Sequence, residues 1–482
     1  MSKTLPRTLL AVLLATLFPF VVYSDSGPDR LPDFGDSAGA LISPRQERAL
    51  GEAFMRSVRR QARLVDDPLI HTYIRQLGRK LVAASDMPAY PFSFFVVEDS
   101  AVNAFAGPGG YIGIHTGLIT AAEYESELAG VMAHEIAHVT QRHLLRAYES
   151  ARQMSLPTAA ATIAAVLLGA AAGSTDAAIA GATAVQAGSI QYQLNFTRAN
   201  EKEADRIGIQ MLAGAGIDPS GMPAFFERLY QSNRLYGAGN IPEFLSTHPV
   251  TSDRMAETQE RAREMAGGGR RDSLAFQLVR TRLLVLSSPG PRQLLPALPA
   301  QGTPAQRYGR ALVLARTGHP RQAEDLLRQL HASDPDRIMY RIDLAQQLLE
   351  QGRREQGLAL LKATLVLYPG DLAVGRAYAE ALLAAGRDRD ARDVVLALLR
   401  DETARTPDLY ALWARSTSRK GPAWETRFAS AEAYYLQGNL PLAIDQLEQA
   451  LALKGLTEYD QARIRSRLEF FKARQAERTK RE

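Results

Sequence analysis

Two histidines stand four residues apart in His134-Glu135-Ile136-Ala137-His138, with a glutamate directly after the first. On a helix, residues four apart share a face, so both imidazoles can present a ring nitrogen to one ion, and zinc accepts nitrogen and oxygen donors in a compact tetrahedron. Glu135 is turned by about 100° from His134 and is a poor third ligand from the same turn. It is placed instead to take a proton from a water whose pKa zinc lowers to about 7, and to pass that proton to a leaving amine. This is the logic of the His-Glu-x-x-His pattern.

The third ligand separates the hydrolases that share this pattern. One arrangement needs a histidine six residues beyond the second and a glycine on the way, but Leu144 and Gln141 stand at those places. The stretch "RANEKEADRIGI" supplies Glu201, Glu203 and Asp205 on an expected helix 63 residues downstream of His138. Glu201 and Asp205 share one face, and Glu203 points roughly to the other. Glu201 as ligand, with Asp205 holding the outer nitrogen of a ligating histidine, completes a His₂Glu centre for one Zn²⁺.

The elements that must carry these residues follow from periodicity. Leu128, Val131, Met132, Ile136, Val139 and Leu144 recur at steps of three or four, so a helix is expected from Glu123 to Tyr148. Before it, "YPFSFFVVED" and "VNAFAGPGGYIGIHTGLI" are rich in aromatic and β-branched residues and are broken by Gly107-Pro108-Gly109-Gly110, as in a hairpin or small sheet. An exposed strand edge at Gly110, Tyr111, Ile112 and Gly113 could pair with the main chain of an extended substrate. Ser43-Pro44-Arg45-Gln46 and Asp67-Pro68 open two earlier helices. The segment 156–188, built of small residues, reads as two helices that touch a membrane or cover a cleft.

At 482 residues the chain exceeds what one core usually serves. Residues 1–24, with Lys3 and Arg7 ahead of an apolar run, have the layout of a cleaved export signal, and 25–42 form a Gly- and Pro-containing lead-in. There is no cysteine, so packing or metal must supply the stability that exported proteins often take from disulfides. A net charge of +5 is spread with acids interleaved, which excludes a nucleic-acid tract and allows at most peripheral contact with an anionic membrane.

After a punctuated connection at 267–303 the sequence repeats. Gly318, Gly352 and Gly386 recur at a period of 34, and Gly438 follows after an 18-residue excess. Each has an alanine seven residues before it (Ala311, Ala345, Ala379, Ala431) and a small residue five after it (Ala323, Gly357, Ala391, Ala443). Small residues at fixed places are what stacked antiparallel helices need, and residues 304–482 resemble tetratricopeptide repeats, an all-α solenoid that binds partners.

The region 43–266 resembles the M48 family of zinc metalloproteases, on His134 to His138, on Glu201-Lys202-Glu203-Ala204-Asp205, on "NAFAGPGGYIGIHTGL" from Asn103 and on "STHPVTSDR" from Ser246. The resemblance implies an α+β zincin-like metallopeptidase domain, mostly helical with a small sheet, ahead of the repeats. It implies a periplasmic endopeptidase that acts on unfolded or misassembled outer-membrane proteins, with chaperone-like activity and contact with the β-barrel assembly machinery and a lipopolysaccharide-transport barrel. It also implies that His248 can take a fourth zinc position and keep the enzyme latent. Alternatively His248 or Arg254 stabilises an oxyanion, or His248 is a structural loop residue. His71, His115, His143, His319 and His331 are read as structural. The rival functions are a repeat scaffold or chaperone whose zinc is structural, and a zinc hydrolase of non-peptide bonds.

Overall fold

The structure, a computed structural model, describes residues 43–143, 156–169, 198–236, 243–265, 267–419 and 421–479. The expected signal, the lead-in and residues 170–188 lie outside the described residues. Helix α1 (Pro44–Gln61) starts on a reciprocal cap: the Gln46 N–H donates to Ser43 Oγ and the Ser43 N–H to Gln46 Oε1. Asp67 accepts from the Leu69 and Ile70 amides and opens α2 (Pro68–Ala83).

Three short strands follow, β1 (Ser93–Val97), β2 (Ala104–Gly107) and β3 (Tyr111–His115), in the order β1-β3-β2. β1 runs parallel to β3, and β2 antiparallel to it. The reversal between β2 and β3 needs Gly109 and Gly110 at φ 73° and 78°, where a side chain would be strained. Strand β3 is the centre of the sheet and is paired on both sides, so the expected edge at Gly110–Gly113 is corrected. The two edges are β1 and β2.

Helix α3 (Thr116–Ala121) leads into α4 (Glu125–Thr140), in which every residue but Val139 is buried. Its ring of Ala, Gly, Val, Ile and Met lets it be packed on all sides. Around it lie α6 (Arg198–Gly214) and α7 (Gly221–Tyr236), after α5 (Leu156–Gly169). Glycines permit the close crossings: a Cβ on Gly130 would lie 2.9 Å from Met222 Cα, and one on Gly208 3.2 Å from the His134 nitrogen. α4 is shorter than expected, because Arg142 adopts φ 54° and turns the chain after Thr140. α5 packs on α1, closing a second small core with Phe54, Phe95 and Phe105 on the sheet face opposite α4. Among the described residues no helix is long and apolar enough to cross a membrane.

The short α8 (Glu243–Thr247) and α9 (Ser252–Glu264) complete the amino-terminal half, and α10 (Leu274–Ser287) touches both halves of the chain. Helix pairs then stack as α11 (Pro304–Arg316) with α12 (Pro320–Ser333), α13 (Ile338–Glu350) with α14 (Arg354–Leu367), and α15 (Leu372–Ala384) with α16 (Asp388–Leu398). The 18-residue excess holds an extra helix, α17 (Pro407–Thr417), before the pair α18 (Ala423–Leu436) and α19 (Leu440–Leu451) and the final α20 (Glu458–Thr479). The four aligned glycines all lie at φ 74–83°, each ending the first helix of a pair, and the aligned alanines before them are fully buried. Buried Arg282 on α10 joins the halves, donating to Asp67 Oδ2 at 2.7 Å, to Asp343 at 3.0 Å and to the Tyr308 hydroxyl at 2.8 Å.

Gly130→Val is expected to push α7 off α4 and destabilise the chain by about 1–3 kcal/mol, read as a lower Tm. An unchanged Tm would mean that the crossing yields freely and does not position the helix.

Candidate metal centre

α4, α6 and the segment after α8 bring His134, His138, Glu201 and His248 together, with one donor atom from each lying within 4.8 Å of the others. His134 Nε2 is 3.0 Å from His138 Nε2 and 3.3 Å from His248 Nδ1. The Glu201 oxygens lie 3.5 Å from His134 Nε2, 3.4 Å from His138 Nε2 and 3.1 Å from His248 Nδ1. A tetrahedral ion with ligands at 2.0–2.1 Å has edges of about 3.3 Å, so these separations fit the donor set of one such ion. All four side chains are buried.

Each helix histidine is held from behind. Asp205 Oδ1 lies 2.9 Å from His134 Nδ1, in ion-pair contact though not in line with the N–H. Burial would lower the His134 pKa, but Asp205 and Glu201 outweigh it and raise it to about 10. His138 has a different support: His143 Nδ1 lies 2.9 Å from its Nδ1, and His143 Nε2 lies 3.2 Å from Glu203 Oε2. A metal on His138 Nε2 leaves the proton on Nδ1, which donates to His143, and His143 in turn donates to Glu203. Burial pulls the His138 pKa well down, so neutral imidazole, the ligating form, is favoured.

Arg254 on α9 binds the acidic side of the centre together. Its Nε and Nη2 donate to Asp205 at 2.8 Å, and its Nη1 lies 2.8 Å from Glu201 Oε2 and donates to the Pro249 carbonyl at 2.8 Å. Burial opposes charge on all three, yet His248, His134 and His138 hold Glu201 well below the ordinary carboxylate range, His134 and Arg254 hold Asp205 below it, and the two carboxylates raise Arg254. With Nε, Nη1 and Nη2 all engaged by Asp205, Glu201 and the Pro249 carbonyl, Arg254 has a positioning role here in place of the expected oxyanion contact. It ties the His248 segment to the ligand carboxylates.

Glu135 differs from its neighbours. It is fully buried, and neither carboxylate oxygen has a hydrogen-bond partner. His248 Nε2 is 3.4 Å from its Oε1, in ion-pair range. Burial raises the Glu135 pKa, against smaller opposing pulls from His248, His134 and the Ala106 backbone.

Residues 68–262, which carry all of these groups, match the profile described as Peptidase family M48. The beta-barrel assembly-enhancing protease of Escherichia coli is 35% identical over 483 residues, covering 97% of each chain. A Vibrio cholerae relative is 37% identical over 475 residues, covering 96% of each. The chain belongs to peptidase family M48. It is thus a metalloendopeptidase by family, and the mitochondrial metalloendopeptidase OMA1 of Schizosaccharomyces pombe is similar over 188 residues, at 30% identity, covering 39% of this chain and 52% of that one. One solved tetratricopeptide-repeat domain covers 69% of this chain at 16% identity and a TM-score of 0.15, too low to carry an argument.

In this M48 chain residue spacing pointed to His134, Glu135, His138, Glu201 and Asp205, the family resemblance added His248, and the structure brings all six to one centre. Spacing and resemblance missed His143 and Glu203. A continuous helix would carry residue 143 round to another side of α4, and nothing in Gln141-Arg142 signals the left-handed turn that returns it. The other histidines read as structural lie outside the centre, and His115 is buried edge-on to Phe105.

His143→Ala is expected to weaken metal binding about 10–100-fold, with Glu203→Gln in the same direction but smaller, measured by competition with a chelator. Unchanged affinity in His143→Ala would reduce His143 to packing.

Proposed function

We propose that this metalloendopeptidase uses zinc, works in the periplasm on unfolded or misassembled outer-membrane β-barrel proteins, and is held latent by His248. The observation that carries the chemistry is the fully buried carboxylate of Glu135, faced by His248 in ion-pair range, beside a four-donor set. A purely structural site has no use for a proton acceptor in that position, which disfavours the scaffold reading. Two histidines and a carboxylate are the donor types of hydrolytic zinc centres. When bound, zinc supplies Lewis acidity that acidifies a water and polarises a carbonyl.

The residues of the chain do the rest. The Asn103 carbonyl accepts from the His115 amide, so by alternation Val102, Ala104 and Ala106 turn their main-chain groups away from β3. This open edge of β2 beside α4 suits an extended peptide, main chain to main chain, which favours peptide over other substrates. Glu135 takes the proton of the attacking water and delivers it to the leaving nitrogen.

Latency follows from the same edge. The Phe244 amide donates to the Val102 carbonyl at 3.1 Å, and the Phe244 ring stacks on His248. His248 Nδ1 then stands among the ligands while its Nε2 faces Glu135. The segment 243–249 therefore uses the beginning of the substrate edge, a donor position and the neighbourhood of the base at once. The substrate class is supported by the name of the Escherichia coli relative, the compartment by the signal-like residues 1–24, and partner docking by the repeats. Contact with the β-barrel assembly machinery and a lipopolysaccharide-transport barrel, and chaperone-like activity, belong to the same proposal.

The test is zinc content and casein cleavage by the mature chain. One zinc and slow cleavage are expected for the wild type, retained zinc without cleavage for Glu135→Gln, and faster cleavage for His248→Ala. Unchanged or slower cleavage by His248→Ala with zinc retained removes the brake, and no cleavage by any of the three favours the scaffold. In His248→Ala the acid limb of kcat/KM is expected above the ordinary glutamate value of about 4.3. The base works only when ionised and its pKa is raised, so activity is lost as pH falls through that raised value. A limb at or below 4.3 would separate Glu135 from the proton transfer.

A further inference from the structure

On the β1 side of the sheet, away from the metal centre, a cleft of about 590 Å³ opens between α1, α2 and β1 and the repeat helices, within the size range of ligand-binding pockets. None of the metal-centre residues lines it. We infer that this cleft docks the C-terminal end of an extended polypeptide, with the carboxylate on Arg75 and Arg79, supported by Arg59, and the main chain on Phe94.

The charge argument comes first. Among the described residues, Arg59, Arg75 and Arg79 have no carboxylate within 4.0 Å, whereas Arg376 and Arg467 in the same wall are paired with Asp66 and Glu432. Arg75 Nη1 and Arg79 Nη2 both donate to the Thr403 hydroxyl, at 3.1 and 3.3 Å, and that hydroxyl in turn donates to Asp401 Oδ1 at 2.7 Å. Two guanidinium groups one helical turn apart on α2 thus converge where an anion would satisfy both. Burial, and then the neighbouring Arg79, lower the Arg75 pKa against the weaker pulls of Asp401 and Asp371, and burial lowers that of Arg59 against Tyr111 and Asp408, so in neither case do the surrounding acids make up for burial. Asp408 attracts Arg376 and Arg59, and the acid facing the Arg75–Arg79 pair is Asp401, which is hydrogen-bonded to Thr403 and lies beyond 4.0 Å from both guanidinium groups.

The main-chain argument fixes the kind of anion. The Val65 amide donates to the Val96 carbonyl at 3.0 Å and the Glu98 amide to the Arg63 carbonyl at 2.8 Å, so even-numbered residues of β1 face outward. By alternation Phe94 offers its N–H and C=O to the cleft, unpaired among the described residues. Residues 63–65 already occupy the edge beyond it, so there is room for only a few residues of added strand. A short strand that must stop there is a chain end, and an arginine wall selects the carboxyl end over the amino end.

The probe is a fluorescein-labelled hexapeptide of alternating threonine and valine with a free C-terminal carboxylate. Its comparators are the C-terminally amidated twin and an amidated version carrying glutamate in place of the last valine. Binding is read by fluorescence anisotropy at low salt on the full Glu135→Gln chain, which does not depend on peptidase activity. The free acid is expected to bind at least about ten-fold more tightly than either amide, and to lose that advantage on Arg75→Gln/Arg79→Gln. Both arginines reach the surface, and an unchanged Tm and metal content of the double variant separate a lost site from a lost fold. Should the double variant fail to fold, the comparison of acid with amide still decides. Equal affinity for acid and amide, or full affinity in a folded double variant, overturns the assignment. So does tight binding of the glutamate amide, which would make the occupant an internal acidic segment.

Discussion

Everything at the centre depends on the fork of Arg254 across Asp205 and Glu201. Two carboxylates and three histidines are packed within a few ångströms with almost no solvent, an arrangement a low-dielectric interior tolerates only if each charge has its counterpart. The guanidinium supplies that counterpart from one side. By also holding the Pro249 carbonyl, it fixes where the residue before that proline can stand. Ligand geometry and the position of His248 are therefore set by one interlocked network, in which the two helices and the loop are fastened at their charged ends as well as through their apolar faces.

Glu135 stands apart from that network, and the difference is chemical. Asp205, Glu201 and Arg254 are bound to one another or to the histidines, and those contacts outweigh burial to keep all three charged. For Glu135 burial outweighs the pulls of His248, His134 and the Ala106 backbone and raises its pKa, as suits a group that exchanges a proton. The supports behind the ligands are asymmetric in the same sense. A carboxylate backs His134 directly, whereas His138 is backed by a neutral-ring relay that ends in half-exposed Glu203. One ligand is therefore held by a buried charge and the other through a chain that reaches solvent.

Much of this was legible before any coordinates. Histidines four apart and carboxylates four apart declare a shared face because helical geometry is local, and the period-34 glycines are visible because a left-handed helix end tolerates little else. What could not be read depends on tertiary placement. His143 reaches His138 only because Arg142 leaves the helical region without a glycine to announce it. The sheet order puts β3 in the middle, so the strand with the conspicuous glycines is not the edge, and Arg254 reaches carboxylates on α6 about fifty residues earlier. Periodicity names faces, but it does not say which faces meet.

The joint between the two halves bears on how the chain is made. Asp66, just ahead of α2, is gripped by Arg376, and Arg59 of α1 donates to the carbonyl of Leu436, at the end of α18. Arg75 and Arg79 meet Thr403, and α2 packs on α15. A polypeptide synthesised from its amino end presents its catalytic half first, and domains generally fold in that order. Here the first two helices lack part of their packing until the last repeats have emerged. Maturation is therefore counted from the carboxyl end: a truncated or stalled molecule carries the hydrolytic residues without the walls that hold their outer layer in place.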